Sequence, residues 1–299
     1  VTSWSLPLHR GLTSYEITSR DLQFEGRIKP FEEEYAPLQK SYRLPAIFPV
    51  SSNGSFMAAF MAAGKGMKVS RLDKEVQIEG KVLGKGSFVI SGGDASVLGS
   101  IAQEACTEPV YAGGSGTIPA TEVTIPRIAL VETWFSDMDA GWTRYLFDTY
   151  HLPYTILHPG EFAETDLGGE FDIIILPGTQ KNLLMTGKPG TDGGAYMSNY
   201  HPDYQKGMGK KGLEKLLLFI NNGGTVLSWG QSTDLFTGLQ EITEGEATEE
   251  FTLPFANAAD QARRDGLSIP GALVQIGLKE DHPLTYGMQA SAGVFYRGN

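Results

Sequence analysis

The stretch IALVETWFSDMDAGWTRYLFDTYHLPYTIL, residues 128–157, decides the fold class. It opens on the apolar run IALV and passes through a polar turn rich in acid and tryptophan. A segment follows in which Leu146, Phe147 and Tyr150 recur at helical spacing, and then a second apolar run at 154–157. Read by periodicity, this is a buried strand, a turn, an amphipathic helix over about residues 139–150 and a second strand. Leu146, Phe147 and Tyr150 are expected to face the core.

Outward from this unit the pattern repeats. FDIIILPG (171–178) is the clearest buried strand, because its unbroken apolar run suits a parallel strand covered on both faces. Residues 207–222, with the run LEKLLLFINN, read as a helix stopped by Gly223 and Gly224, and TVLSWG (225–230) as a further buried strand. Strands alternating with helices of this length predict a parallel, doubly wound sheet. Ligands of such sheets sit beyond the carboxyl ends of the strands. Three turns then share one rim: residues 134–139, Pro177-Gly178, and residues 230–232. The insertion 179–208 is rich in Gly, Asn, Tyr and Lys and has no period. It reads as a lid or as a plain variable loop.

Toward the amino terminus, AIFPVSS (46–52) reads as a strand, FMAAFMAA (56–63) as a helix and MKVSRL (67–72) as a strand. VQIEGKVLGKGSFVI (76–90) suggests a hairpin-like element and a buried strand. Asp94 is placed to cap a helix running to Cys106. GGSGTIPATEVTIP (113–126) has the composition of a linker. Two α/β domains are therefore expected, 1–124 and 125–299, a division that suits 299 residues.

The net charge is −11, from 24 basic and 35 acidic residues. A phosphate-binding surface is basic, so nucleic acid is excluded as a partner, and anionic membrane surfaces are disfavoured. The acidity is dispersed, with short runs such as Glu32-Glu33-Glu34, and reads mainly as solubility. One cysteine, Cys106, excludes an intrachain disulfide and a cysteine-rich zinc site; it is read as a buried structural residue. No apolar window is long enough for a transmembrane helix, so membrane insertion is not expected. A start at Val1 without methionine, and an end just after an apolar run, read as a fragment or processed product.

Trp134, Asp137, Asp139, Trp142 and Arg144 crowd the first rim turn. In one reading they wall a polar pocket. In the other Asp139 caps the helix, Trp142 packs and Arg144 pairs with an acid. On the third turn, Trp229-Gly230-Gln231-Ser232-Thr233 occupies the position of a nucleophile elbow but has no cysteine there, and a serine nucleophile needs a base. The pair His158 and Glu161, with a distant His282, has a zinc-carboxypeptidase spacing on a flexible turn, a poor metal site. Two glycine-rich runs, 113–116 and 207–212, lack the context of a phosphate cradle.

These residues carry a family resemblance. The segments VTSWSLPL (1–8), GKGSFVI (84–90), MDAGWTR (138–144), FDIIILPG (171–178), NGGTVL (222–227) and HPLTYG (282–287) resemble the C-terminal, non-catalytic region of bacterial exported proteins with an M14-type zinc carboxypeptidase domain. The resemblance implies a glutamine amidotransferase-like, flavodoxin-like second domain that has lost its nucleophile. It implies a peptidase domain upstream that carries the zinc, no cofactor and no catalytic residue in this chain, and a secreted or periplasmic location.

The expected role is an accessory region of a zinc-peptidase-like protein. A peptide, a sugar or the peptidase domain would be held at Trp134, Asp137, Asp139, Trp142, Arg144, Gly178, Gln231 and Ser232. The alternative is a hydrolase that uses Ser232 or a metal held by His158 and Glu161.

Overall fold

The computed structural model describes Tyr15, Thr18 and residues 41–112, 117–135, 137–189, 200–244 and 247–298. The opening VTSWSLPL, the acidic run at 32–34, the GGSG start of the linker and residues 190–199 of the insertion lie outside the described residues. The chain divides into two compact units, Val1–Val123 with Asp265–Asn299, and Thr124–Arg264.

The first unit contains β1 (Ala46–Phe48), α1 (Asn53–Gly64), β2 (Lys68–Leu72), β3 (Val76–Ile78), β4 (Lys81–Leu83), β5 (Phe88–Ser91), α2 (Ala95–Glu104), β6 (Val110–Tyr111) and β7 (Ala120–Glu122). Five of the strands form an antiparallel sheet in the order β6-β1-β5-β2-β7. Strand alternation sends Ala46, Phe48 and Ile90 to one face, where α1 and α2 supply Ala58, Ala62, Leu98 and Ile101. Ile47, Leu72 and Val89 face the other way and pack with Leu83 of the β3–β4 hairpin. Asp94 caps α2 by accepting the Ser96 N–H at 2.8 Å. Cys106 is exposed, contrary to the expectation of burial. The cause is local: it follows the end of α2 at φ +48°, a left-handed residue that turns the chain away from the packed face.

The second unit contains β8 (Ile128–Val131), α3 (Met138–Thr149), β9 (Thr155–Leu157), α4 (Leu167–Glu170), β10 (Ile173–Leu176), α5 (Lys181–Thr186), α6 (Gly209–Asn221), β11 (Thr225–Ser228), β12 (Leu239–Glu244), β13 (Ala247–Thr252) and α7 (Ala259–Arg264). Short 3₁₀ turns occupy Pro159–Glu161, Pro202–Gln205 and Gly230–Phe236. β11, β10, β8 and β9 form, in that order, a four-stranded sheet in which every pair is parallel. The expected mixed α/β unit with a parallel sheet is present.

Both faces of the sheet are covered at β8 and β10, which is why these strands read as continuous apolar runs. β11, expected to be a buried strand, is not: it lies at the edge of the sheet and Leu227 is 46% exposed. Ala129, Val131, Ile174 and Leu176 pack with Leu213, Leu216 and Phe219 of α6. Ile128, Leu130 and Ile175 pack on the opposite face with Phe147 of α3 and with Leu152 and Tyr154. The sheet-facing arc of α3 is narrow, Ala140 and Thr143 plus Phe147. Leu146 falls outside that arc and is 52% exposed, which corrects its assignment to the core.

The carboxyl-terminal hairpin, β14 (Ile269–Gly277) and β15 (Ser291–Gly298), belongs to the first unit rather than to the second. Contacts made by its connecting turn explain this. Lys85 pairs with Asp281 at 2.6 Å, and the Arg71 guanidinium lies between the rings of Phe88 and Tyr286. Gly86, at φ +86°, leaves no room for a side chain beside Tyr286. Sequence separation concealed this return of the chain.

Candidate functional site

The carboxyl ends of the parallel strands all deliver their following residues to one edge. β8 is followed by Glu132 to Asp139, β9 by His158, β10 by Pro177 to Thr179, and β11 by Trp229 to Ser232.

In the first turn, Asp137 is the N-cap of α3. Its Oδ1 accepts the Ala140 N–H at 3.2 Å, and its Oδ2 accepts the Thr133 N–H at 3.0 Å and the Thr133 hydroxyl at 3.2 Å. Burial pushes the Asp137 carboxyl up from its ordinary value, opposed by these hydrogen bonds. Asp137, not Asp139, therefore does the capping.

Asp139 stays exposed in the first turn of the helix and points across the edge. Its Oδ2 accepts the indole N–H of Trp229 at 3.3 Å. The same oxygen lies 2.5 Å from where a side chain on Gly178 would begin, so a side chain there would displace the Asp139 carboxylate. Gly230, at φ +59°, also approaches Gly178, 3.2 Å from its own missing Cβ to the Gly178 Cα. The turns after β8, β10 and β11 thus meet around Asp139 and Gly178.

Ser232 is buried beneath this meeting point. Its hydroxyl donates to the Pro177 carbonyl and accepts the Thr179 N–H at 2.9 Å. Among the described residues none of its hydrogen-bond partners is a histidine, lysine or carboxylate. Gln231, beside it, is exposed.

Trp134 is built differently from the expected pocket wall. Its ring stacks on His158 at 4.0 Å and 20° and on Tyr204 at 4.4 Å and 29°. Two rings so nearly parallel at such separations fit only on opposite faces, so the indole is sandwiched and both its faces are occupied. His158 Nδ1 lies 2.7 Å from the Glu132 carbonyl. A carbonyl can only accept, so Nδ1 donates to it. Glu161 accepts the His158 backbone N–H at 2.7 Å, which makes it a cap of its own 3₁₀ turn. Among the described residues no group of three or more His, Cys, Asp and Glu side chains is placed to hold a metal ion.

Arg144 pairs with Glu132 at 2.9 Å on the flank of α3. Trp142 lies on the outward face of the helix, 64% exposed. Of the residues named from sequence, Asp139 and Gly178 come together over Ser232, with Asp137 one turn away. Trp134, Trp142 and Arg144 point elsewhere. Trp229 and Tyr204 were missed. Trp229 could have been included from its position next to Gly230. Tyr204 carried no signal, since it reaches Trp134 from within an aperiodic insertion.

No family model matches the chain, and neither a curated protein nor a solved structure matches it.

Proposed function

We propose that this chain is a non-catalytic, ligand-binding accessory region of an M14-type zinc-carboxypeptidase-like polypeptide whose peptidase domain lies upstream. The parallel sheet supports a flavodoxin-like, amidotransferase-like ancestry for the second unit. Numbered by occurrence, its strands lie in the order 2-1-3-4, and the order reverses between β8 and β10. Such a switch point is where doubly wound sheets hold ligands. The neighbouring turns supply Asp139, Gly178 and Trp229.

The observation that carries the non-catalytic reading is the state of the Ser232 hydroxyl. In an amidotransferase-like elbow the turn after β11 presents the attacking group. Here that group is buried and spent on the backbone of the neighbouring turn. A serine without a base is a poor nucleophile. The rival metal site fares no better, because Glu161 already caps the turn that carries His158. Zinc in this reading belongs to the upstream domain, and the exported location follows from the same family resemblance. Among the described residues no helix is long and apolar enough to cross a membrane.

The test is an assay of the purified chain with peptide and ester substrates, alongside metal analysis. The reading predicts no turnover and no stoichiometric zinc. Turnover abolished by Ser232→Ala, or one zinc per chain lost in His158→Ala, overturns it.

A further inference from the structure

We infer that Asp139 and Trp229 form a seat for an organic ammonium group, such as the lysine side chain of a basic peptide. The inference rests on the reading of this edge as a binding surface and names the class of ligand it takes.

Asp139 differs from the other acids of the edge in how its charge is answered. Glu132 is paired with Arg144, Asp137 is satisfied by backbone and hydroxyl donors, and Glu161 accepts a backbone N–H. Asp139 receives one neutral donor, the Trp229 indole, on Oδ2. Among the described residues no cation pairs with it and no hydrogen bond reaches Oδ1. The carboxylate is nevertheless held in place, by that indole and by close packing on the Gly178 backbone.

An indole borders this fixed charge: Trp229, 39% exposed, is bonded to it. Trp134, though 45% exposed, has both ring faces stacked. Among the described residues no lysine or arginine lies over the Trp229 ring. Indole faces attract ammonium groups through the ring quadrupole, and a carboxylate alongside adds charge attraction. An anionic ligand would meet an unanswered carboxylate on a chain of net charge −11, which instead draws cations toward it.

The probe is trilysine, compared with trilysine acetylated on every ε-amine, titrated into the whole chain and followed by tryptophan fluorescence and calorimetry. Trilysine is expected to bind at least about tenfold more tightly than the acetylated peptide. Asp139→Asn is expected to weaken trilysine about tenfold, Asp139→Glu to restore part of the loss, and Trp229→Phe to weaken binding severalfold. Urea midpoints near the wild-type value establish that each variant is folded. Absence of trilysine binding, equal binding of the two peptides, or trilysine binding unchanged by Asp139→Asn overturns the ammonium seat. Each of those results leaves the edge open to another ligand class, whereas the non-catalytic reading falls only to Ser232-dependent turnover or bound zinc.

Discussion

The Ser232 hydroxyl accepts the Thr179 N–H at 2.9 Å while donating to the Pro177 carbonyl, and so fastens the turn after β11 to the turn after β10. One buried side chain therefore sets the spacing of two of the loops that form the candidate site. Ser232 is a clamp between the two turns.

Removing that clamp leaves a buried amide and carbonyl without their partner, a loss of about 1–3 kcal/mol. Ser232→Ala is expected to lower the urea midpoint by a corresponding amount with an unchanged denaturant slope. A variant as stable as the parent would show that the two turns are held by other means.

Asp137 is buried and capping at once, and the two roles separate on substitution. Asp137→Ala loses the cap and is expected to cost about 1 kcal/mol. Asp137→Asn loses the buried charge but keeps only one of the two accepting oxygens, its NH2 facing a backbone donor, so at pH 7 it should be less stable than the parent. The pH dependence has a definite sign. Burial raises the folded-state pKa, so the acid's contribution to stability is fullest below its unfolded value of about 3.9 and declines as pH rises through the folded value. Relative to Asp137→Asn, the parent should gain stability as pH falls from 7 toward 4. Denaturant midpoints measured across that range check it.

The stack of His158, Trp134 and Tyr204 predicts a spectroscopic effect. Tyr204→Ala uncovers one face of the indole and forfeits an aromatic contact of about 0.5–1.5 kcal/mol. The fluorescence component lost in Trp134→Phe should move to longer wavelength in the Tyr204 variant. No shift would mean that Tyr204 does not cover the ring in solution.

Much of the fold could be read from local pattern, because its causes are local. The run FDIIIL is apolar throughout since each of its faces meets a packed layer, and Asp94 caps α2 within two residues of itself. What escaped detection depends on distance along the chain. The return of residues 265–299 to the first unit is made by pairs such as Lys85 with Asp281, almost two hundred positions apart. Trp134 was legible as an aromatic at the edge, yet its partners come from β9 and from the insertion. The exposure of Leu146 was hidden because helical spacing gives a period without saying how wide an arc the sheet covers; here Ala140, Thr143 and Phe147 fill it.

At the amino edge of the sheet, Arg127 holds Asp172 at 2.7 Å and also donates its backbone N–H to it at 2.8 Å. The guanidinium beside it and that N–H lower the Asp172 carboxyl to about 2. A depressed carboxylate contributes stability that is present above its unfolded value of about 3.9 and is lost as pH falls to about 2. Asp172→Asn should therefore flatten the acid limb of the stability profile, being less stable than the parent above about pH 4 and converging on it as pH falls to about 2. An unchanged acid limb would indicate that solvent screening cancels the pair.

The most direct measurement on the non-catalytic assignment is intact mass after incubation with a fluorophosphonate, which marks serines activated by a base. A Ser232 held by Pro177 and Thr179, with no base among its partners, predicts no adduct and an unchanged mass. A single adduct that maps to Ser232 and disappears in Ser232→Ala would contradict the account.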